Sequence, residues 1–94
     1  MHPLMAESHS REFPLFYKYL NLTSYIGEIG LDFSKEGIRT KTTQFESFEK
    51  ILLGVKGKKK ILSIHSRKAE KEVLFLLKKH QIKNAIFHWY SGGL

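Results

Sequence analysis

The chain has 94 residues and no cysteine, and its 16 Lys and Arg against 9 Asp and Glu give a net charge of +7. This length suffices for one small domain but not for a complete eight-stranded α/β barrel of roughly 250 residues, and the absence of cysteine excludes disulfides and thiolate metal sites, in keeping with a cytoplasmic location. The positive charge favours anionic partners such as nucleic acid, and no apolar run approaches the roughly 18 residues of a membrane span.

The first predicted element is a helix, which Ser8 or Ser10 can cap. Four apolar residues with the spacing of one helical face are Phe13, Phe16, Tyr17 and Leu20. We interpret these residues as core. His9 and, later in the chain, His80 lie in polar surroundings and are expected to be solvated.

Residues 25–33 predict a strand with two carboxylates and two glycines inside an apolar run. Because a strand alternates faces, Glu28, Gly30 and Asp32 are expected on one face, with Gly27 and Ile29 on the other. An acid in the middle of a buried strand is costly unless it is paired or binds a metal. Glu28 is therefore a candidate for chemistry, and the alternative is an acid that faces water.

A polar loop, residues 34–41, leads to a second predicted helix, in which Thr43 and Glu46 have the spacing of a capping box. The apolar stripe of this helix consists of Phe45, Phe48, Ile51, Leu52 and Val55. The basic run at residues 56–60 precedes the next strand. We interpret it as a solvated turn rather than a DNA-binding patch, because in a barrel it lies opposite the catalytic face.

Two further apolar runs, residues 60–67 and 84–92, predict strands with His65 and His88 near their ends, separated by a helical pattern through Lys79. The resulting β-α-β-α-β alternation favours a parallel sheet with crossover helices. In such sheets the carboxyl ends of the strands carry the site. Glu28, His65 and His88 are therefore expected to converge within a few ångströms of a shared centre, as metal ligands.

Three motifs, in order and at plausible spacing, resemble the TatD family of metal-dependent deoxyribonucleases. They are Gly27-Glu28-Ile29-Gly30-Leu31-Asp32, Ile64-His65-Ser66-Arg67 with Ala69 following, and His88-x-Tyr90-Ser91-Gly92. His2-Pro3 also resembles the family's Gly-x-His-Pro element, which places His2 near the mouth of the site. Trp89-Tyr90 departs from the commoner Cys-Phe pair and is similar to TatD-type nucleases encoded beside anti-phage defence genes.

The resemblance implies an α/β fold, a partial TIM (β/α)8 barrel of about three consecutive βα units with parallel strands. Residues 1–94 are then a fragment of a single TatD-like barrel domain. The family's first-strand His-x-His pair and late-strand Asp are expected outside the chain, in missing barrel segments that a complete site needs. The implied activity is metal-dependent hydrolysis of DNA phosphodiester bonds, and we expect this truncated chain to be inactive alone.

The resemblance also implies roles for individual residues. Glu28, as catalytic residue, and His65 and His88 are metal ligands of a two-metal site, in which Glu28 can bridge both ions. The ions are divalent, and Mg²⁺, Mn²⁺ and Zn²⁺ remain open. Asp32 is expected to hold a metal ligand in place rather than to bind the metal itself.

Arg67, Ser91 and Gly92 are the candidates for binding the DNA substrate. The guanidinium group of Arg67 suits a pair of phosphate oxygens, and its alternative is a salt bridge to Asp32 or another acid. Two other functions are compatible with the sequence. One is a small basic nucleic-acid-binding protein without catalysis, and the other is an inert remnant.

Overall fold

The computed structural model describes residues 1–90, without the side chains of Trp89 and Tyr90. Three α-helices alternate with three strands: α1 (His9–Tyr19), β1 (Tyr25–Asp32), α2 (Lys41–Val55), β2 (Ile61–Arg67), α3 (Glu70–Lys79) and β3 (Ala85–Tyr90). Short 3₁₀ turns lie at Pro3–Ser8, Leu20–Leu22 and Ile38–Thr40. Among the described residues, no helix is both long and apolar enough to cross a membrane.

The three strands form one parallel sheet in the order β1-β2-β3. Two crossover helices, α2 and α3, connect consecutive strands, as parallel pairing requires. Register places Gly30 beside His65, and His65 beside His88. The chain is therefore α/β, with three parallel strands in consecutive βα units, as predicted.

One apolar core joins the sheet to the helices. Its largest fully buried side chains come from β1, α2, β2 and α3, and include Ile29, Leu31, Phe48, Ile51, Leu52, Leu62, Ile64, Val73 and Leu76. Phe13 and Leu20 of the N-terminal helical segment are buried in the same core, as predicted, whereas Tyr17 is exposed. Burial of these side chains holds the strands side by side and so sets the positions of the polar residues between them.

The face assignment within β1 departs from simple alternation. Pairing with β2 shifts between Ile26 and Ile29, so that Gly27 and Glu28 together lie opposite the single residue Ser63. Such an irregularity is a β-bulge, which re-aims the residues around it. As a result Ile26 and Ile29, three residues apart, both enter the core. Gly27 lies within the bulge, and the expectation that it shares a face with Ile29 is therefore wrong.

Two histidines expected to be solvated are buried. His9 is 3% exposed and its Nε2 lies 2.9 Å from the carbonyl of His2, while His80 is 5% exposed and its Nε2 lies 2.8 Å from Glu49 Oε2. The expectation was wrong because both rings find polar partners that are 7 and 31 residues away in sequence. A buried polar ring is tolerated when it is hydrogen-bonded.

The predicted capping box is also absent from α2. The helix begins at Lys41 with Thr40 as the preceding residue, and the Thr40 side chain makes no capping hydrogen bond. Thr40 instead uses its hydroxyl to donate to the carbonyl of Gly37, because the 3₁₀ turn before α2 brings the chain back on itself. The first turn of α2 is thus tied to the preceding loop.

Candidate metal centre

His65 lies at the centre of the candidate site and is held by Asp32 of the neighbouring strand. The His65 side chain is buried, and its Nε2 lies 2.8 Å from Asp32 Oδ2. Because an ionised carboxylate only accepts hydrogen bonds, Nε2 is the nitrogen that donates. In the neutral ring, Nδ1 then carries the lone pair. This nitrogen faces Glu28 Oε1 at 3.7 Å.

Asp32 is fully buried, and its carboxylate is surrounded by donors. Oδ1 accepts from the backbone N–H of Ser34 at 3.0 Å and from the Ser34 hydroxyl. Burial raises the pKa of Asp32, but the hydrogen bonds from Ser34 and His65 outweigh it and hold the pKa below its usual value. Asp32 is therefore an anion near neutral pH, and the proton between it and His65 stays on the imidazole.

His2 reaches the site from the N-terminal turn. Its Nδ1 accepts a hydrogen bond from the backbone N–H of Leu4 at 3.0 Å, so the proton of the neutral ring is on Nε2. Nε2 lies 3.0 Å from Glu28 Oε1 and donates to it. Burial, followed by the nearby His65, lowers the pKa of His2, which favours this neutral form. The His2 and His65 rings meet edge to face with centroids 4.5 Å apart.

His2, Glu28 and His65 form a group whose candidate ligand atoms all lie within 4.8 Å of one another. Carboxylate oxygen and imidazole nitrogen are ligands of divalent transition metals. Two atoms each about 2.1 Å from one ion, at a tetrahedral angle, are about 3.4 Å apart. The 3.7 Å between Glu28 Oε1 and His65 Nδ1 is close to that value. The residues therefore fit a divalent metal, with His2 presenting an N–H to the same carboxylate.

His88 lies next to this group but does not enter it. Its backbone is the register partner of His65, on the adjacent strand. The side chain is exposed, and its Nε2 lies 2.8 Å from Ser63 Oγ. The structure thus brings Glu28 and His65 together, as expected, and places His2 rather than His88 beside them. Binding of His88 at the same centre requires its ring to leave Ser63.

Arg67 ends β2 and pairs with an acid of the loop after β1. Its Nη1 lies 3.3 Å from Glu36 Oε2, which also lies 2.8 Å from Ser34 Oγ, so Glu36 and Asp32 share the single Ser34 hydroxyl proton. Hydrogen bonding by Ser34 is the largest cause of the lowered pKa of Glu36, and Arg67 adds to it. The expected alternative of a salt bridge is thus realised, with Glu36 rather than Asp32 as the partner.

A comparison with protein families matches residues 1–94 to the family of TatD-related DNases. The chain belongs to the TatD family. The match confirms the resemblance to the TatD family, and it covers all three motifs and the His2-Pro3 element. No match was found among the curated proteins.

Each of the three TatD-family motifs begins on one of the three parallel strands, in agreement with the predicted partial TIM barrel. Glu28 lies in the middle of β1 rather than at its end, whereas His65 and His88 lie in the carboxyl-terminal halves of β2 and β3. Ser91 and Gly92, the other expected substrate-binding residues, lie outside the described part of the chain. Their roles stay predictions.

Sequence reasoning did not find two residues that support the site, Ser34 and Gln44. Gln44 is fully buried in α2, where its Oε1 accepts from the backbone N–H of Asp32 at 2.7 Å. The sequence does contain a signal for Ser34, because it lies two residues after Asp32, and Asp side chains commonly accept a hydrogen bond from the backbone N–H two residues on. For Gln44 the sequence carries no comparable signal, since the contact crosses 12 residues and depends on how α2 packs on β1.

Proposed function

We propose that this TatD-family chain supplies part of the metal-binding centre of a DNA phosphodiesterase, with Glu28 and His65 as ligands. The observation that carries the proposal is the Asp32–His65–Glu28 arrangement. A carboxylate that holds one nitrogen of a ligating histidine, so that the other faces the metal, is a recurrent feature of metal centres. Here Asp32 holds Nε2 at 2.8 Å, and Nδ1 faces the Glu28 carboxylate.

Each residue has a definite task in this proposal. Asp32 keeps the proton of His65 on Nε2 and orients the ring. Glu28 offers Oε1 on the side of His65 and would hold a divalent ion there together with His65 Nδ1. His2 donates its Nε2 proton to Glu28 and thereby fixes the direction of the carboxylate. His88 joins as a further ligand once its ring leaves Ser63.

Divalent ions held there would supply Lewis-acid stabilisation of the phosphate and a water of lowered pKa. The protein's own contribution to substrate binding is cationic. Arg67 ends β2 beside the site, and its guanidinium fork can hold two phosphate oxygens. A phosphate can replace its ion pair with the largely exposed Glu36. Ser91 and Gly92 are proposed to add hydroxyl and backbone N–H donors.

We further propose that the 94-residue chain does not complete the site by itself. Glu28, His65 and His88 do not hold two ions without the family's first-strand His-x-His pair and late-strand Asp. Glu28 and His65 would still bind an ion in the chain alone, but the coordination of the two ions that the reaction needs would be incomplete. Barrel segments that carry those residues are therefore proposed as the partners of this chain.

A second candidate is a basic nucleic-acid-binding protein without catalysis. The observation that favours it is a concave surface of about 490 Å³ lined by Lys56, Lys58, Lys60 and Lys83, with no carboxylate among its described lining residues. It lies near the carboxyl ends of α2 and α3, where cations also stabilise the helix dipoles. The lysines therefore have a structural explanation, and we favour the metal centre.

Metal binding by the purified chain tests the leading proposal. Titration with Mn²⁺ or Zn²⁺, followed calorimetrically, should show binding that is lost in Glu28→Gln and weakened about 10–100-fold in Asp32→Asn. A Lys59→Ala variant is the matched control and should bind as the parent does. DNA binding that is salt-sensitive, unaffected by chelator, equal in Glu28→Gln and Asp32→Asn and weaker in Lys59→Ala would support the second candidate instead.

A further inference from the structure

Gln44 is fully buried (0% exposed), and both the oxygen and the nitrogen of its side-chain amide are hydrogen-bonded inside the protein. Its Oε1 accepts from the backbone N–H of Asp32 at 2.7 Å. Its Nε2 donates to the carbonyl of Gly37 at 2.7 Å and to Thr40 Oγ1 at 3.0 Å. The amide has one orientation only, because a flip would place the NH₂ group against an N–H and the oxygen against a carbonyl.

These bonds close the loop that follows β1 on both sides. Asp32 is the last residue of β1, and Gly37 precedes the 3₁₀ turn before α2. Gly37 approaches Asp32 so closely that a Cβ on Gly37 would lie 2.0 Å from the Asp32 carbonyl oxygen. Two bonds to the Ser34 carbonyl, from the N–H groups of Gly37 and Ile38, complete the turn. Gln44 therefore clamps the two ends of a compact loop from the side of α2.

The clamped loop is the one that orients the carboxylate beside His65. Gln44 holds the backbone N–H of Asp32, Ser34 holds Oδ1, and Oδ2 is left for His65 Nε2. We propose that Gln44 is a positioning residue, which acts through Asp32 to keep the His65 proton on Nε2 and the Nδ1 lone pair toward Glu28. This inference rests on the proposed function only in its consequence for metal binding.

The replacement Gln44→Met isolates this role, since the side chain keeps about the same length and loses both its donors and its acceptor. The backbone N–H of Asp32 is then left without the Gln44 oxygen, and an unpaired buried polar group destabilises the arrangement that contains it. The loop is expected to open at Gly37 and to free Asp32 to rotate. His65 Nε2 loses its fixed acceptor, and a free imidazole populates both tautomers.

The first measurement needs no variant. In the parent chain, free of metal, ¹⁵N NMR should show His65 in the Nε2–H form, with an Asp32 amide and a Gln44 side-chain amide that exchange slowly with solvent. Rapid exchange of these two amides at the rate of exposed groups would overturn the proposal, because the clamp would not then be closed.

The second measurement compares Gln44→Leu and Gln44→Met with Ser47→Ala. Ser47 is also buried in α2 and lies outside this hydrogen-bond network. Both Gln44 variants, where circular dichroism shows them folded, should contain a mixture of His65 tautomers, whereas Ser47→Ala should keep the Nε2–H form. Folded Gln44 variants with an unchanged tautomer would refute the inference and assign Gln44 a purely structural role. If neither variant folds, the exchange measurement on the parent decides.

Metal affinity then separates this inference from the proposed function. We expect Mn²⁺ or Zn²⁺ to bind the folded Gln44 variants about tenfold more weakly than the parent, which is the low end for residues behind a ligand. Absence of binding to the parent refutes the metal centre and leaves the tautomer result standing. Parent-like affinity in a variant with mixed tautomers refutes the link to the metal but not the clamp.

Discussion

Gly30→Ala should destabilise the protein strongly, because the backbone of Gly30 leaves no room for a side chain against β2. Gly30 has φ of +137°, and a Cβ built on it would lie 2.1 Å from the carbonyl oxygen of His65. That oxygen belongs to the backbone of the neighbouring strand and cannot turn aside like a flexible side chain. The two strands must therefore separate at the residue that carries the candidate ligand.

The size of the effect follows from two contributions. A non-glycine residue at an unfavourable positive φ costs about 1–3 kcal/mol. Overpacking a tight contact costs about 1–3 kcal/mol more. The sum of about 2–6 kcal/mol is a large part of the roughly 5–15 kcal/mol by which folded proteins are stable.

Gly57→Ala is the matched control, since Gly57 also has a positive φ, +78°, but nothing lies within 4 Å of the position that its Cβ would take. Its loss of stability should come from the unfavourable positive φ alone. Urea unfolding followed by circular dichroism should therefore give a difference between the two variants of about 2 kcal/mol, the overpacking contribution. With a slope of about 1 kcal/mol per M, the midpoints differ by about 2 M. Equal losses in both variants would refute the close approach of the strands at Gly30.

Three further predictions concern activity and pH. In a longer TatD-type barrel that carries this segment, Glu28→Gln should abolish DNA cleavage and Lys59→Ala should not, and comparable losses would assign the function to the basic run. The 94-residue chain alone should show no cleavage of single-stranded DNA with Mg²⁺ or Mn²⁺, and metal-dependent cleavage that disappears in Glu28→Gln would contradict this. Hydrogen bonds from Lys79, and then from His80, lower the pKa of Glu49 in the folded protein. The ionised form of Glu49 therefore stabilises the fold at pH values above its unfolded pKa of about 4.3. This stabilisation is lost as the pH falls through the lower pKa of the folded state. In urea titrations between about pH 3 and 6, Glu49→Gln should remove that part of the acid loss.

Several features of the site could be predicted from the residues alone. The alternation of apolar runs with helical patterns indicates parallel βα units, and Glu28 and His65 lie on neighbouring strands of such a sheet. Asp32 was expected to support a ligand, and in the structure its Oδ2 lies 2.8 Å from His65 Nε2. These expectations depend on the order of elements along the chain and on side-chain chemistry, and both can be read from the sequence.

The β-bulge in β1 could not be predicted in this way. A period-two pattern assumes that pairing continues without interruption, whereas the shift between Ile26 and Ile29 depends on the register with β2. The same holds for His2, which only the family resemblance placed near the site. Its contact with Glu28 forms because the N-terminal turn packs against β1, which no local pattern reports.

The sequence by itself determined the alternation of elements, the family, and the chemical types gathered at the strand ends, because periodicity and motif order are properties of the chain. The tertiary structure alone decided which atoms meet. It set His65 Nε2 on Asp32, turned His88 toward Ser63, and brought Gln44 from α2 onto the backbone of Asp32. Hydrogen-bond partners depend on distances of a few tenths of an ångström and on directions, and these are fixed only when the helices have packed on the sheet.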